Sequence, residues 1–448
     1  MPPLPEAIIL VLAPCAPRFS DRVWGHAHVL LLGALLTPGP RPVTAALRAM
    51  GLAMERHVTH DQRVLNRATW SARPGSRILL GMRLTRLMPP GATLVFGADD
   101  TVERRSGRQI RANGCARDAV RASKKHVSRG CGLKWVAMRL LVPVPWSRRV
   151  WALPCLTARC GPEKQRGRRR PKTSVDWARQ MMTQVRRWLP DRRMVLVVDG
   201  GFAAVALALA CVKHRVALVS RLRWEAALYH PPGPQPPGQR GPKPTTGKRQ
   251  RRLQGWAARS DPPWAPAEVD WYGGERQQLW GFSRTALWYT PGLPPVALRS
   301  VWGADPEGKL RMETCFCTDL EATPVEILPW VVRRWSLEVT FAEAHAPLGV
   351  ETQRQWSDQA IARTTPVLLA LFSLVTVLAL QLSQGGKIPV PVTAWYHKAE
   401  PTVADCLALV RGHLWRARYV VNSAPEAEFR QFPREAFELL LHGFPLAA

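Results

Sequence analysis

Acidic residues are scarce in this chain: 33 Asp and Glu stand against 63 Lys and Arg, a formal net charge of +30. Such an excess repels itself in a compact state unless a polyanion neutralises it. Arginine strongly outnumbers lysine, and its planar fork matches phosphate oxygens two at a time. Nucleic acid is therefore the first-choice partner. A paired cysteine framework is also missing. The nine cysteines are an odd number, and the close pairs, Cys155–Cys160 and Cys315-x-Cys317, lack the spacing of a zinc site. Scattered reduced thiols in a cytosolic protein are the expectation. The apolar run from Met1 to Ala16 has no basic leader and is interrupted by Glu6, so it is a poor signal peptide. Long apolar runs are lacking too. The uncharged stretch Thr364 to Gly386 has an apolar heart, Pro366 to Leu382, at the lower limit for a membrane span. Ser373, Thr376 and Gln381 break it further, so it reads as a buried core helix. No internal repeat is present.

What is there begins with 46% apolar residues, enough for real cores and against a disordered chain. At 448 residues the chain has room for two or three domains. Residues 1–88 read as helical, with Thr44 as a cap for Ala45 to Met50 and Gly51 as its stop. A small DNA-binding domain or a helical cap on a catalytic core both fit. From residue 89 the pattern turns to strands at Thr93 to Ala98, Lys134 to Val142 and Val150 to Thr157. A basic loop with Arg168, Arg169 and Arg170 follows. Then come a helix from Ser174 to Leu189, a strand from Met194 to Val198, a helix from Phe202 to Lys213 and a strand from Val216 to Ser220. Strand, strand, strand, helix, strand, helix, strand is the order of an α/β ribonuclease H-like fold, which spans 89–221 in its first part and 323–385 in its second. Residues 222–322 read as an all-β insertion, with strand-like runs at Glu268 to Tyr272, Gln278 to Phe282, Thr285 to Thr290, Val296 to Trp302 and Lys309 to Thr318. Residues 386–448 read as a helical tail.

Three acids carry the chemistry. Asp100 follows the first strand, Asp199 ends the strand Met194 to Val198, and Glu338 lies on a later helix. Two-metal phosphoryl transfer needs carboxylates that hold two cations ~3.5–4 Å apart, and Mg²⁺ is a hard ion that prefers oxygen. Each strand-end Asp taken singly is more often a turn residue. In fold order, the three together point to a metal site. Asp99 is adjacent to Asp100, and the residues leave the choice between them open.

With these motifs in view, Asp99-Asp100-Thr101, Val198-Asp199-Gly200, Arg334-x-x-x-Glu338 and the run Leu348 to Ser357, the chain resembles a DDE transposase of bacterial insertion sequences. The kinship is to the group with a β-rich insertion between the second Asp and the Glu, and it covers about 40–380. It implies a ribonuclease H-like core, two Mg²⁺ ions for which Mn²⁺ substitutes, and Asp100, Asp199 and Glu338 as both catalytic residues and metal ligands. Asp100 is favoured because the family's first acid is commonly followed by Thr. The partners implied are transposon terminal inverted repeats and target DNA, with a homodimer in the synaptic complex, no membrane, and a cytoplasmic, nucleoid-associated location. The family's helical signature has Val331 where Tyr is usual and His345 where Lys is usual. Arg334 and His345 then share a helix face with Glu338 and are expected at DNA phosphates. Pro347 ends that helix by Ala346. Lys248 and Arg249, with Arg168 to Arg170, are expected on the DNA backbone. Trp271, Trp280 and Trp288 are candidates to stack on a flipped base, as a Trp does in related transposases, or to fill a sheet core. Two rival functions remain: a DNA-binding protein derived from a transposase without turnover, and a structure-specific nuclease on the same fold.

Overall fold

The computed structural model describes residues 4–105, 107–111, 113–117, 129–161, 171–234, 243–257, 264–270, 276–304, 313–383, 386–392, 394–395 and 397–420. The chain begins with helices α1 (Glu6–Leu12), α2 (Asp21–Leu36), α3 (Val43–Ala49), α4 (Val58–Asn66) and α5 (Ala72–Leu87). Thr44 sits inside α3 and does not cap it. Pro42 holds the N-cap position instead, with extended backbone and no side-chain capping bond. Gly51 does stop the turn, at a positive φ of 73°.

Strands follow: β1 (Leu94–Glu103), β2 (Gly114–Arg117), β3 (Arg129–Val144) and β4 (Ser147–Arg159). After them come α6 (Ser174–Trp188), β5 (Met194–Val198), α7 (Val205–Lys213) and β6 (Val216–Arg221). A reciprocal capping box between Thr173 and Asp176 fixes the start of α6. The next stretch holds β7 (Leu228–Tyr229), the short α8 (Leu253–Ala257), β8 (Ala265–Asp270), β9 (Arg276–Trp288), β10 (Val296–Ala304) and β11 (Glu313–Cys317). The two runs expected at 278–282 and 285–290 form the single strand β9. The remaining helices are α9 (Pro324–Arg333), α10 (Ser336–His345), α11 (Asp358–Leu382) and α12 (Val403–Val420).

Along one continuous sheet the described strands run β2-β3-β1-β5-β6-β11-β10-β9-β7, with β4 on β3 and β8 on β9. β3 is antiparallel to β1, whereas β5 and β6 join β1 in parallel through the helical crossovers α6 and α7. This mixed sheet with helices on it fits the α/β ribonuclease H-like core. The strands after β6 do not start a new sheet. β11 pairs antiparallel with β6, Cys315 opposite Arg221, so they widen the core sheet.

Side-chain alternation divides the sheet's core in two. Leu94, Phe96 and Ala98 of β1, with Met194, Leu196 and Val198 of β5, enter the larger cluster, which also holds residues of α6, α7, α11 and the N-terminal helices. Val95, Val195, Val197 and Val219 face the other way, into a smaller cluster with Ile327 of α9 and Leu337 of α10. Ile8, Val11 and Leu35 share the larger cluster with the strands. The N-terminal helices therefore pack on the same core as the sheet.

α11 is the one described helix long and apolar enough to cross a membrane, and most of its apolar window is buried inside the molecule. Its Ser373 hydroxyl donates to the Pro154 carbonyl at 2.7 Å, so this hydroxyl is satisfied inside the fold. That is the buried core helix expected.

Candidate active site

The parallel pairing fixes where the acids go. β1 and β5 are in register from Leu94↔Met194 to Ala98↔Val198. The next residue on each strand is Asp99 and Asp199. Because alternate residues share a face, Asp99 follows Val95 and Gly97, and Asp199 follows Val195 and Val197. Both carboxylates project toward the face covered by α9 and α10. Neighbouring strands lie ~4.8 Å apart, so these acids are side by side.

Asp100 points to the opposite face. Its Oδ2 accepts a hydrogen bond from Ser174 Oγ at 2.6 Å and pairs with Lys134 Nζ at 2.9 Å. The expected grouping of Asp100 with Asp199 is therefore corrected by one residue: the strand's alternation puts Asp99 there and turns Asp100 toward α6.

The electrostatics mark the same pair. Burial pushes the Asp99 carboxyl up to about 6, against the pull of the nearby Arg139 guanidinium; the charges of Asp199 and Asp100 push it further the same way. Asp199 is anchored by its own turn. Its Oδ1 accepts from the backbone N–H of Gly201 at 2.9 Å and of Phe202 at 3.2 Å. This local motif leaves the second carboxylate oxygen out of those bonds.

Glu338 enters from α10. Leu337 and Glu338 stand in the first turn of this helix, and Leu337 packs against Gly97 of β1. Ser336 Oγ donates to the Val150 carbonyl at 2.6 Å, and Thr340 Oγ1 to the Ala152 carbonyl at 2.9 Å, tying the helix to β4. Glu338 is exposed, and its carboxylate pairs with Arg334 Nη2 at 3.0 Å. The single helix expected for Arg334, Glu338 and His345 is broken: α9 ends at Arg333, and α10 starts at Ser336. At the far end His345 Nδ1 lies 3.6 Å from Glu351 Oε2. α10 stops at His345, with Ala346 as its cap just before Pro347, as expected.

Other expected contacts divide three ways. Lys248 and Arg249 are exposed. Arg168, Arg169, Arg170 and Trp271 lie outside the described residues. Trp288 packs on Phe316 with ring centroids 5.2 Å apart, a core role, whereas Trp280 is 47% exposed.

The sequence reading missed Arg221. Val198↔Ser220 is a register pair of β5 and β6, so Arg221 stands beside Asp199 at the same strand ends. Its cross-strand partner Cys315 belongs to the smaller cluster, which places Arg221 on the same face as the acids.

The donor chemistry suits a hard divalent ion. Two adjacent carboxylates repel one another, and a cation between them relieves that repulsion. Among the described residues, however, no three His, Cys, Asp or Glu side chains are gathered closely enough to hold a metal. Asp99 and Asp199 fit as a pair, while Glu338 is engaged by Arg334.

The family model described as a DDE superfamily endonuclease matches residues 11–278. That is more than half of the chain, and the protein belongs to this family. Membership places it among metal-dependent nucleases that act on DNA. The matched stretch contains Asp99, Asp100 and Asp199 but not Glu338. A comparison with curated proteins finds no match.

Proposed function

We propose that the protein is a DNA transposase that cleaves transposon ends and joins them to target DNA. The observation that carries this reading is the register of Asp99 and Asp199 on adjacent parallel strands, on the face covered by α10, the helix that carries Glu338. Asp99 and Asp199 would hold a divalent cation, Mg²⁺ by their oxygen chemistry, and Glu338 would join them once released from Arg334. When bound, such ions activate an attacking oxygen and stabilise a leaving 3′ oxygen.

The protein's own groups do the rest. The backbone turn after Asp199 holds that carboxylate still. α10 is docked on Gly97 and β4, which supports Glu338 as the acid that would reach the strand ends. Arg221 supplies a positive side chain beside Asp199, suited to a phosphate oxygen of the strand being cut. Lys248 and Arg249 are free of the core and suit the phosphates of flanking DNA. Trp280, open to solvent, suits stacking on an unpaired base.

The test is cleavage of a duplex carrying the element's end, with Mg²⁺, followed by transfer to a target. Wild type is expected to nick and join, while Asp199→Ala and Glu338→Gln lose both. Equal cleavage by wild type and these variants would sink the assignment. A second reading, DNA binding without turnover, is favoured by the Arg334–Glu338 pair. It predicts end binding with no cleavage at any Mg²⁺ or Mn²⁺ concentration. Cleavage without joining points instead to a structure-specific nuclease.

A further inference from the structure

Arg139 lies near the middle of β3 and is completely buried. Nε, Nη1 and Nη2 of its guanidinium all lack a hydrogen-bond partner. Every other buried arginine among the described residues has one. Arg83 donates to the carbonyls of Leu79, Leu153 and Pro154 and to Ser373 Oγ. Arg363 donates to the carbonyls of Val64, Leu65, Ala68 and Trp70. Arg41, Arg105, Arg334 and Arg411 likewise have acceptors. A buried unpaired charge destabilises a fold, and an apolar side chain of similar volume is often the more stable choice.

Two of the groups that compensate the guanidinium belong to the site. Its Cζ sits 3.5 Å from the centroid of the Phe341 ring, a cation–π contact strengthened by the dry surroundings. The Asp99 carboxylate attracts it electrostatically. Phe341 follows Glu338 by three residues on α10, and Asp99 is the first acid of the strand pair.

The geometry is a two-point seat. Gly97 of β1 and Arg139 of β3 are cross-strand partners. Leu337 meets Gly97, and Phe341 meets Arg139. Leu337 and Phe341 are four residues apart, so they lie on one face of α10. Glu338 rides in the turn between them. A missing side chain on one strand and a long flat cation on the next thus set how α10 lies across the strand ends.

We infer that Arg139 is a positioning residue, a buried cation that seats α10 through Phe341 and thereby sets the reach of Glu338 toward the Asp99–Asp199 pair. The inference rests on the transposase reading for its catalytic consequence but not for the seat itself. The catalytic group is Glu338, and Arg139 acts through it.

The experiment compares Arg139→Met, Arg139→Lys and Phe341→Leu with wild type in the full chain. Three readouts are taken: thermal unfolding, kcat and KM for Mg²⁺-dependent cleavage of end DNA, and hydrogen exchange of the α10 amides. Arg139→Met fills the space without charge. It is expected to unfold at or above the wild-type temperature, to leave KM unchanged and to lower kcat on the order of 10²-fold, the scale of an ångström misplacement. Exchange along α10 rises. Arg139→Lys keeps the cation and recovers most of the rate. Phe341→Leu removes the ring and reproduces the kcat loss, which decides the matter if Arg139→Met fails to fold. Wild-type kcat in Arg139→Met or Phe341→Leu, or unchanged α10 exchange, overturns the proposal. If wild type itself does not cleave, the transposase reading falls, and the exchange result still tests the seat.

Discussion

Gly97 and Leu337 occupy one another's space: a Cβ on Gly97 would lie 2.5 Å from Leu337 Cδ2. The contact brings the helix carrying Glu338 down onto the strand carrying Asp99. Gly97→Ala is therefore expected to lift α10. Overpacking of this kind costs ~1–3 kcal/mol, read as a fall in the unfolding midpoint. Mg²⁺-dependent cleavage should drop more than ten-fold, beyond what the folded fraction accounts for, on the scale of small misplacements. Wild-type cleavage by a destabilised Gly97→Ala would show that the close approach serves packing alone.

Asp99 and Asp100 differ in face, and their variants should differ in consequence. Asp99→Asn is expected to abolish cleavage, down by roughly 10³-fold or more, as loss of a group in the reacting shell does. Asp100→Asn breaks the partly exposed pair with Lys134 and weakens the bond from Ser174. Its cost is at most ~1 kcal/mol of stability, with cleavage reduced only a few-fold. The reverse order of the two variants in the cleavage assay would return the metal to Asp100.

A pH effect follows from the raised Asp99 carboxyl. Its ionisation near 6 in the folded chain lies above the ordinary carboxylate value of 3.8. The folded state then binds the extra proton between these two values, so stability falls as pH rises through that window. Above about 6 the ionised group is a standing cost. Without divalent ions, Asp99→Asn should melt a few degrees above wild type at pH 7–8, roughly what 1–2 kcal/mol gives for a chain of this size. The difference should vanish toward pH 4. Adding Mg²⁺ should stabilise wild type at pH 7–8 and not the variant. A constant difference across the range would rule out Asp99 as the group responsible.

Glu103, at the end of β1, is almost wholly buried. Its carboxylate accepts from Trp135 Nε1 at 2.6 Å, Gln353 Nε2 at 2.9 Å, Thr365 Oγ1 at 2.9 Å and Arg105 Nη1 at 3.0 Å. This network pins β1, the strand that carries Asp99, to β3, to the segment after α10 and to α11. Glu103→Ala leaves several buried donors unpaired and should cost ~3–5 kcal/mol, while Glu103→Gln should cost less. Calorimetry on both variants checks this, and an unchanged midpoint in Glu103→Ala would contradict it.

Much of the site was legible beforehand. Met194 to Val198 announces itself by its β-branched run and the helix from Ser174 by Pro190 at its end, and the structure puts both where expected. Asp199 and Glu338 stand out as candidates because each sits in a strongly patterned segment, one at a strand end and one on a helix. The choice of first acid was not legible: the expected first strand ran from Thr93 to Ala98, and only the parallel register from Leu94↔Met194 to Ala98↔Val198 sets Asp99 beside Asp199. The break between α9 and α10 was not legible, because Arg334 and Trp335 carry no helix-breaking signal.

The amino-acid sequence by itself determined the order of strands and helices, the basic charge, and the acids at their ends, since these depend on short-range pattern and composition. Tertiary structure decided which acid meets which. Parallel register turns a one-residue difference into opposite faces of a sheet, and no local propensity encodes the partner strand. It also decided that the strands after β6 continue the core sheet, that His345 meets Glu351, and that Arg139, an ordinary letter in a β-rich run, is a buried cation under the helix of Glu338. Each of these depends on contacts between residues far apart in the chain, and they exist only once the sheet and α10 have closed on one another.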